Sequence, residues 1–341
     1  MNKQSILDNP TALRQTLSSW GEPPFRATQI ENWALRGATF EDMRNIPMQL
    51  RQKLNEHFLP CPAAIIKIHK SNDETTKHLF ALPDGQKVEA VLMRYRHGNT
   101  LCVSTQAGCR MGCVFCASTV GGLARDLTPG EMLGQVIMAC ADIRGESKEL
   151  RQITNLVLMG MGEPLENLEN CLSFINQTTE QFGISPRNIS LSTCGLPEGI
   201  RQLTKTNLPI TLCWSLHAPD DALRKKLMPG AAARATVAEV IAALREHIAQ
   251  TKRRIIVEYT LIDGVNDAPV HAQQAIKLLR GMMCHVNIIP YNPVPGKPFR
   301  PSPPHKQKQF LAALTQGGLS ATARRTLGDD INAACGQLRR S

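Results

Sequence analysis

From about residue 98 the chain alternates two patterns. Short apolar, β-branched runs at 101–105, 155–159, 188–193, 210–216, 255–261, 285–289 and 320–325 read as strands. Between them, stretches with apolar residues at helical spacing at 129–144, 168–182, 237–250, 270–281 and 305–315 read as helices. Strands that alternate with helices make right-handed βαβ units around a parallel sheet. The runs are mostly apolar, as parallel strands covered on both faces must be. Six or seven such units suit either an open doubly wound sheet or a partial (β/α) barrel, and in both the functional site lies at the C-terminal strand ends.

Before residue 98 the rhythm differs. Helical stretches at 10–19, 26–36 and 47–58 carry Trp20, Phe25, Trp33, Leu35 and Phe40 as a small core. Three β-type runs follow at 64–69, 76–82 and 87–95, with Asp84-Gly85 as a hairpin turn between the last two. The chain therefore divides into an accessory α+β region at 1–95, an α/β core at 96–326 and a tail at 327–341. The proline-rich stretch 290–304 reads as an ordered surface loop.

Composition narrows the class. Of 341 residues, 42% are hydrophobic and 20% charged, as in an ordinary globular protein. No basic start with an apolar h-region opens the chain, and no apolar run nears the ~18 residues of a membrane span, so a cytoplasmic protein with no membrane partner is expected. The formal charge of +10 points to a polyanionic partner, most simply nucleic acid, although a generally basic surface has the same sum. Aromatics make up only 4%, which argues against recognition through many stacked bases.

Eleven cysteines in a chain with no secretion signal read as metal ligands or redox groups before they read as staples. Cys109, Cys113 and Cys116 form C-x3-C-x2-C directly after the first core strand. Three close thiolates can hold three irons of a cubane cluster and leave the fourth iron without a protein ligand, where a substrate can dock. The competing reading is a closed structural zinc site, with Cys102 as a fourth ligand. Gly160-Met161-Gly162-Glu163-Pro164 follows the second strand; its glycines permit close approach and Glu163 can accept from an ammonium group. It matches neither a dinucleotide fingerprint nor a phosphate loop. Ser192, then Ser215-Leu216-His217, then Asn292 fall at successive strand ends that converge on one site. Cys335, six residues from the C-terminus, sits among small residues that suit a mobile segment, while Cys102 reads from spacing as a core residue.

Together with Lys87-Val88-Glu89-Ala90-Val91 and the block Gly328 to Leu338, these segments resemble the RlmN/Cfr family of radical S-adenosylmethionine (SAM) RNA methyltransferases, over nearly the whole chain. Within it the chain looks most like the dual-specificity branch, which methylates carbon 2 of an adenosine in 23S rRNA and of one in tRNA. The resemblance implies a partial (β/α)6 radical SAM barrel with a small N-terminal accessory domain that helps grip RNA, and a monomer. It implies a [4Fe-4S] cluster on Cys109, Cys113 and Cys116, and SAM held by Gly162, Glu163, Ser192, Ser215, Leu216, His217 and Asn292. Cys335 would become S-methylated, Cys102 would be its redox partner through a transient disulfide, and Glu89 would be the base. Two SAM would be used per turnover, with a one-electron donor such as flavodoxin or ferredoxin. Carbon 2 of adenine is electron-poor and does not attack a methyl donor, whereas a thiolate does, which is why a cysteine carrier makes sense. The carbon-8 methylating branch shares every one of these residues, and a non-catalytic metal-bearing RNA-binding protein is the rival of another class. Arg324, Arg325, Arg339 and Arg340 are candidate phosphate contacts near the tail, against a solvated basic face.

Overall fold

The computed structural model describes residues 3–96, 98–144 and 152–339; Arg340 lies outside the described residues. Three helices open it: α1 (Pro10–Ser19), α2 (Phe25–Ala34) and α3 (Met48–His57). The first starts where expected because Pro10 occupies its first turn and Asn9 Oδ1 accepts the Ala12 N–H at 2.9 Å. Leu13, Leu17, Ile30, Leu50 and Leu54 bury the inner faces, and Leu35 and Phe40 join them as expected. Phe25 does not: it is 56% exposed, at the start of α2 where its ring faces outward beside the Arg26 guanidinium. Asp8 ties this region to the core by accepting the Gly130 N–H at 2.7 Å.

Ten strands form the main sheet, beside two separate two-stranded pairs. In chain order they are β1 (Ala64–Lys70), β2 (Thr76–Ala81), β3 (Lys87–Tyr95), β4 (Gly98–Cys102), β5 (Asn155–Leu158), β6 (Ile189–Thr193), β7 (Thr211–Ser215), β8 (Ile255–Leu261), β9 (Cys284–Pro290) and β10 (Ala321–Ala323). Their spatial order follows the chain from β1 to β10. The first three contacts are antiparallel and the remaining six are parallel. The sheet does not close, so the architecture is the open, partial barrel, with β1 and β10 at its edges. The hairpins of the accessory region thus continue the core sheet: β3 pairs with β4, placing Val91 opposite Cys102.

Helices α4 (Pro129–Arg144), α5 (Leu168–Phe182), α6 (Pro197–Lys205), α7 (Asp221–Leu227), α8 (Val237–Thr251), α9 (Pro269–Leu279) and α10 (Pro304–Gln316) cover the parallel strands. The α5 helix stops because Gly183 takes a left-handed conformation, and α8 starts on a capping box of Thr236 and Glu239. Helices α6 and α7 were not read from the sequence. Helix α7 is short and carries Arg224-Lys225-Lys226, a charge run that resembles a solvated turn. The first core strand also ends earlier than its apolar pattern suggests. The ladder ends at Cys102, with Val103 N–H still donating to Val157 O at 2.9 Å, and Gln106–Gly108 then pairs with Leu123–Asp126, bracketing the cysteine loop. No helix among the described residues is long and apolar enough to cross a membrane.

Candidate active site

At the C-terminal ends of β5 to β9 lies a cavity lined by Cys109, Cys113 and Cys116 together with Gly162, Glu163, Ser192, Ser215 and His217. The cysteine loop is fixed from outside by main-chain bonds. Val114 N–H donates to Leu227 O at the end of α7 (3.0 Å), and Gly230 N–H to Met111 O (2.9 Å). Thr119 Oγ1 spans the loop, 3.2 Å from Cys113 O and 3.0 Å from Cys116 O. Burial raises all three thiol pKa values, Cys109 to about 12, so each holds its proton until a metal displaces it. No three His, Cys, Asp or Glu side chains among the described residues converge on a single ion. Thiolates on three corners of a cubane bind three different irons and need not converge, so the donor set fits a [4Fe-4S] cluster with one iron free of protein better than a zinc ion.

The turn after β5 approaches the chain so closely that side chains are excluded. A Cβ on Gly160 would lie 2.7 Å from Val103 O, and one on Gly162, whose φ is +110°, would lie 2.7 Å from Gln106 Cβ. Gln106 Oε1 accepts the Glu163 N–H at 2.8 Å. The Glu163 carboxylate is buried and accepts from Leu165 N (3.1 Å) and Cys194 N (2.7 Å), which joins this turn to the one after β6. Burial pushes its pKa up and those amide bonds oppose the rise. Ser192 Oγ and Ser215 Oγ lie 3.2 Å apart. A buried carboxylate at one end of a glycine cradle and hydroxyls beside it suit a ligand with an ammonium group and hydroxyls, as SAM has.

His217 follows β7 with φ +51°, its ring set edge-on to Phe115 of the cysteine loop. Nδ1 accepts the Thr260 N–H at 3.0 Å, so the proton of the neutral ring is on Nε2. Burial lowers its pKa to about 3, with the Arg224 charge contributing. An unfolded histidine titrates near ~6.5, so below that pH the unfolded chain takes up a proton that the folded chain refuses. Stability contributed by neutral His217 is therefore whole above pH ~6.5 and drains away as pH falls toward 3. Between pH 7 and pH 5 the expected loss is about 2 kcal/mol. The variant His217→Asn, which keeps an acceptor for Thr260, should unfold in urea with that much less difference between the two pH values. Identical pH dependence in the two proteins would remove the assignment. The raised carboxyl of Glu163 is common to both proteins and cancels in the comparison.

Cys335 stands between this cavity and a second one, and Cys116, Ser118, Met159, Gly160 and Arg324 also line both. Cys102, Val91 and Leu338 line the second. The tail is held on several sides. Ala117 N–H donates to Gly336 O (2.7 Å), Ser118 Oγ to Leu338 O (2.7 Å) and Asn292 Nδ2 to Cys335 O (3.0 Å). Asn292, expected beside the first cavity, thus lines the second and grips the tail; Leu216 is fully buried and meets Glu258 O through its N–H. Cys102 is buried, which pushes its thiol up to about 12, with the charge of Cys335 adding to the rise. Both thiols are free, so no disulfide joins them here. Glu89 lines neither cavity. Its carboxylate is 3.1 Å from Lys77 Nζ and accepts the Arg339 N–H at 2.9 Å, so it clasps the tail. Of the tail arginines, Arg324 lines both cavities, Arg325 lines the second, and Arg339 is exposed.

Two charged residues near the cysteines escaped the sequence reading. Arg224 is fully buried, donates to Leu216 O (3.0 Å) and Cys194 O, and leaves Nε unpartnered. Its place in a run of cations hid it. Glu258 lines the first cavity from the middle of β8, and a lone carboxylate in an apolar strand was the signal available for it.

Two family models match the chain: the radical SAM superfamily over residues 103–273, and the ribosomal RNA large subunit methyltransferase N-terminal domain over residues 7–59. A probable dual-specificity RNA methyltransferase RlmN of Clostridium tetani is 47% identical over 94% of this chain and 90% of its own. Another so named, from Desulforamulus reducens, is 45% identical over 99% and 97%. The crystal structure of a radical SAM methyltransferase from Sphaerobacter thermophilus superposes with a TM-score of 0.91 at 40% identity, covering 98% of this chain and 99% of that one.

Proposed function

Because the chain belongs to the RlmN family of radical SAM RNA methyltransferases, we propose that it methylates carbon 2 of an adenosine in 23S rRNA and in tRNA, with Cys335 as the methyl carrier. The observation that carries this reading is the position of Cys335: one thiol on the wall between a cavity lined by three cysteines and a cavity lined by Cys102.

Cys109, Cys113 and Cys116 would hold the [4Fe-4S] cluster, and Glu163, Gly162, Ser192, Ser215 and His217 the SAM. When bound, this pair supplies reductive cleavage of the sulfonium and so a means of drawing a hydrogen atom from a methyl group. The chain's own residues do the rest. Ionised Cys335 takes a methyl group by displacement, becoming a thioether and releasing S-adenosylhomocysteine. After hydrogen abstraction, the carbon on Cys335 adds to carbon 2 of adenine and joins protein to RNA. Release requires loss of the carbon-2 proton, transfer of one electron from the adduct, for which the oxidised cluster would be the acceptor, and cleavage of the carbon–sulfur bond, whose electron pair stays on the methylene carbon and takes up a proton to complete the methyl group. Glu89 would accept the proton once the Arg339 N–H no longer occupies its carboxylate. Cys102 gives up its own proton and attacks the Cys335 sulfur, leaving a disulfide that a reductant reopens. The helices before residue 60 and the basic surface would grip the RNA.

The reading is tested with anaerobically reconstituted protein, SAM, a one-electron reductant and transcripts of both RNAs. Mass spectrometry of digested nucleosides should find 2-methyladenosine in both; 8-methyladenosine, or no methylated product, would overturn it.

A further inference from the structure

Glu258 is 4% exposed in the middle of β8, flanked by Val257 and Tyr259. Its Oε1 accepts from Asn287 Nδ2 at 3.1 Å and lies 3.5 Å from Arg324 Nη1. Its Oε2 is enclosed and has no partner, although the residue lines the first cavity. A buried carboxylate oxygen without a donor is costly, and such atoms concentrate where a ligand completes the set.

The neighbours show what kind of donor fits. Strand register puts Ser215 opposite Glu258, Glu258 opposite Asn287 and Asn287 opposite Thr322. Thr322 Oγ1 lies 3.3 Å from Asn287 Oδ1, and Ser192 Oγ adjoins Ser215 Oγ. A polar row therefore crosses the sheet below the cavity, with Glu258 as its only carboxylate. SAM offers three kinds of donor: an ammonium, an exocyclic amine and two ribose hydroxyls. Arg324 already supplies Glu258 with a cation, so a second cation is not required. Glu163, beyond β5, is the carboxylate placed for the ammonium. A free carboxylate oxygen with two lone pairs matches the vicinal diol, and an acidic side chain on a ribose hydroxyl is a recurring solution in nucleotide sites.

We propose that Glu258 is a SAM-binding residue whose Oε2 accepts hydrogen bonds from the ribose hydroxyls, with Asn287 and Arg324 holding the carboxylate in place. This rests on the first cavity being the SAM site. The test uses cluster-loaded protein under anaerobic conditions and equilibrium dialysis with SAM, 2′-deoxy-SAM and 3′-deoxy-SAM. Wild-type protein should bind at least one deoxy analogue about tenfold more weakly than SAM. Glu258→Gln, with Glu258→Asp beside it as the variant that keeps the charge facing Arg324, should bind SAM about tenfold more weakly and no longer distinguish the analogues. The iron–sulfur absorbance near ~410 nm should be unchanged, which shows that the cluster site is intact. If the variants bind SAM as wild type does, or lose affinity yet still discriminate against the deoxy analogues, Glu258 does not touch the ribose. If wild-type protein binds no SAM at all, the assignment of the cavity has failed, and that result is distinct from either of the others.

Discussion

Replacing Cys335 with alanine should abolish RNA methylation, lowering product by more than about a thousandfold, because it removes the sulfur proposed to carry the methyl group. The substitution is well suited to this question. Cys335 is exposed, and the tail around it is held by main-chain atoms: its own carbonyl by Asn292, that of Gly336 by Ala117 and that of Leu338 by Ser118. None of those bonds needs the thiol, so the variant should fold, keep the tail docked and keep its iron. Anaerobic assays with reductant should therefore find an intact iron–sulfur absorbance and no methylated adenosine. Wild-type turnover by Cys335→Ala would mean that the methyl group never resides on this residue. Cys335→Ser is the sharper control, since the hydroxyl nearly matches the thiol in size but is a far poorer nucleophile at neutral pH.

What could be read in advance differs between layers of the molecule. The parallel strands were legible because their runs are apolar and β-branched throughout: β8 has the limits its sequence suggests, as do α4 and α5. Short elements with mixed composition were not. Helix α7 hides a fully buried arginine in a cationic run, and its guanidinium is met by the carbonyls of Ser215 and Leu216 at the end of the preceding strand and of Cys194, 30 residues back, which no local pattern shows. The regular ladder of the strand before the cysteines ends at Cys102, sooner than the apolar run to residue 105 suggests, although residues 103–105 stay buried and Val103 and Thr105 still bond to the backbone of Val157 and Met161. In the site, the cysteine triad and the glycine turn were visible because spacing and glycine usage are local. The relation of Cys102 to Cys335 was implied by the family resemblance alone and not by spacing. Cys102 has the local signature of a core residue, and in the fold it lines the cavity that the tail also lines. Glu89 differs again. Lys77 and the Arg339 N–H occupy its carboxylate and it lines neither cavity, so its place in the fold does not by itself mark it as a base.

Cys102→Ala should trap the enzyme on its RNA. The methyl carbon, once added to carbon 2, leaves the protein only when the bond to the Cys335 sulfur breaks, and that sulfur leaves more readily when another thiol attacks it. Cys102 lines the second cavity together with Cys335 and the cluster loop's Cys116, so the tail thiol and the strand thiol face one space. Its raised pKa, about 12, keeps it protonated and quiet at rest, which protects the pair from a premature disulfide. Truncating it removes one buried sulfur from the sheet and should cost little stability, while product release falls at least about a hundredfold. A covalent protein–RNA species should then accumulate, retarded on a denaturing gel and, after nuclease trimming, heavier than the protein by one nucleotide fragment joined at Cys335. The double variant Cys102→Ala/Cys335→Ala should show no such band, because the linkage has no sulfur to form on. Release of methylated RNA by Cys102→Ala at the wild-type rate, with no adduct at early times, would leave Cys102 as a core residue and require another group to open the carbon–sulfur bond.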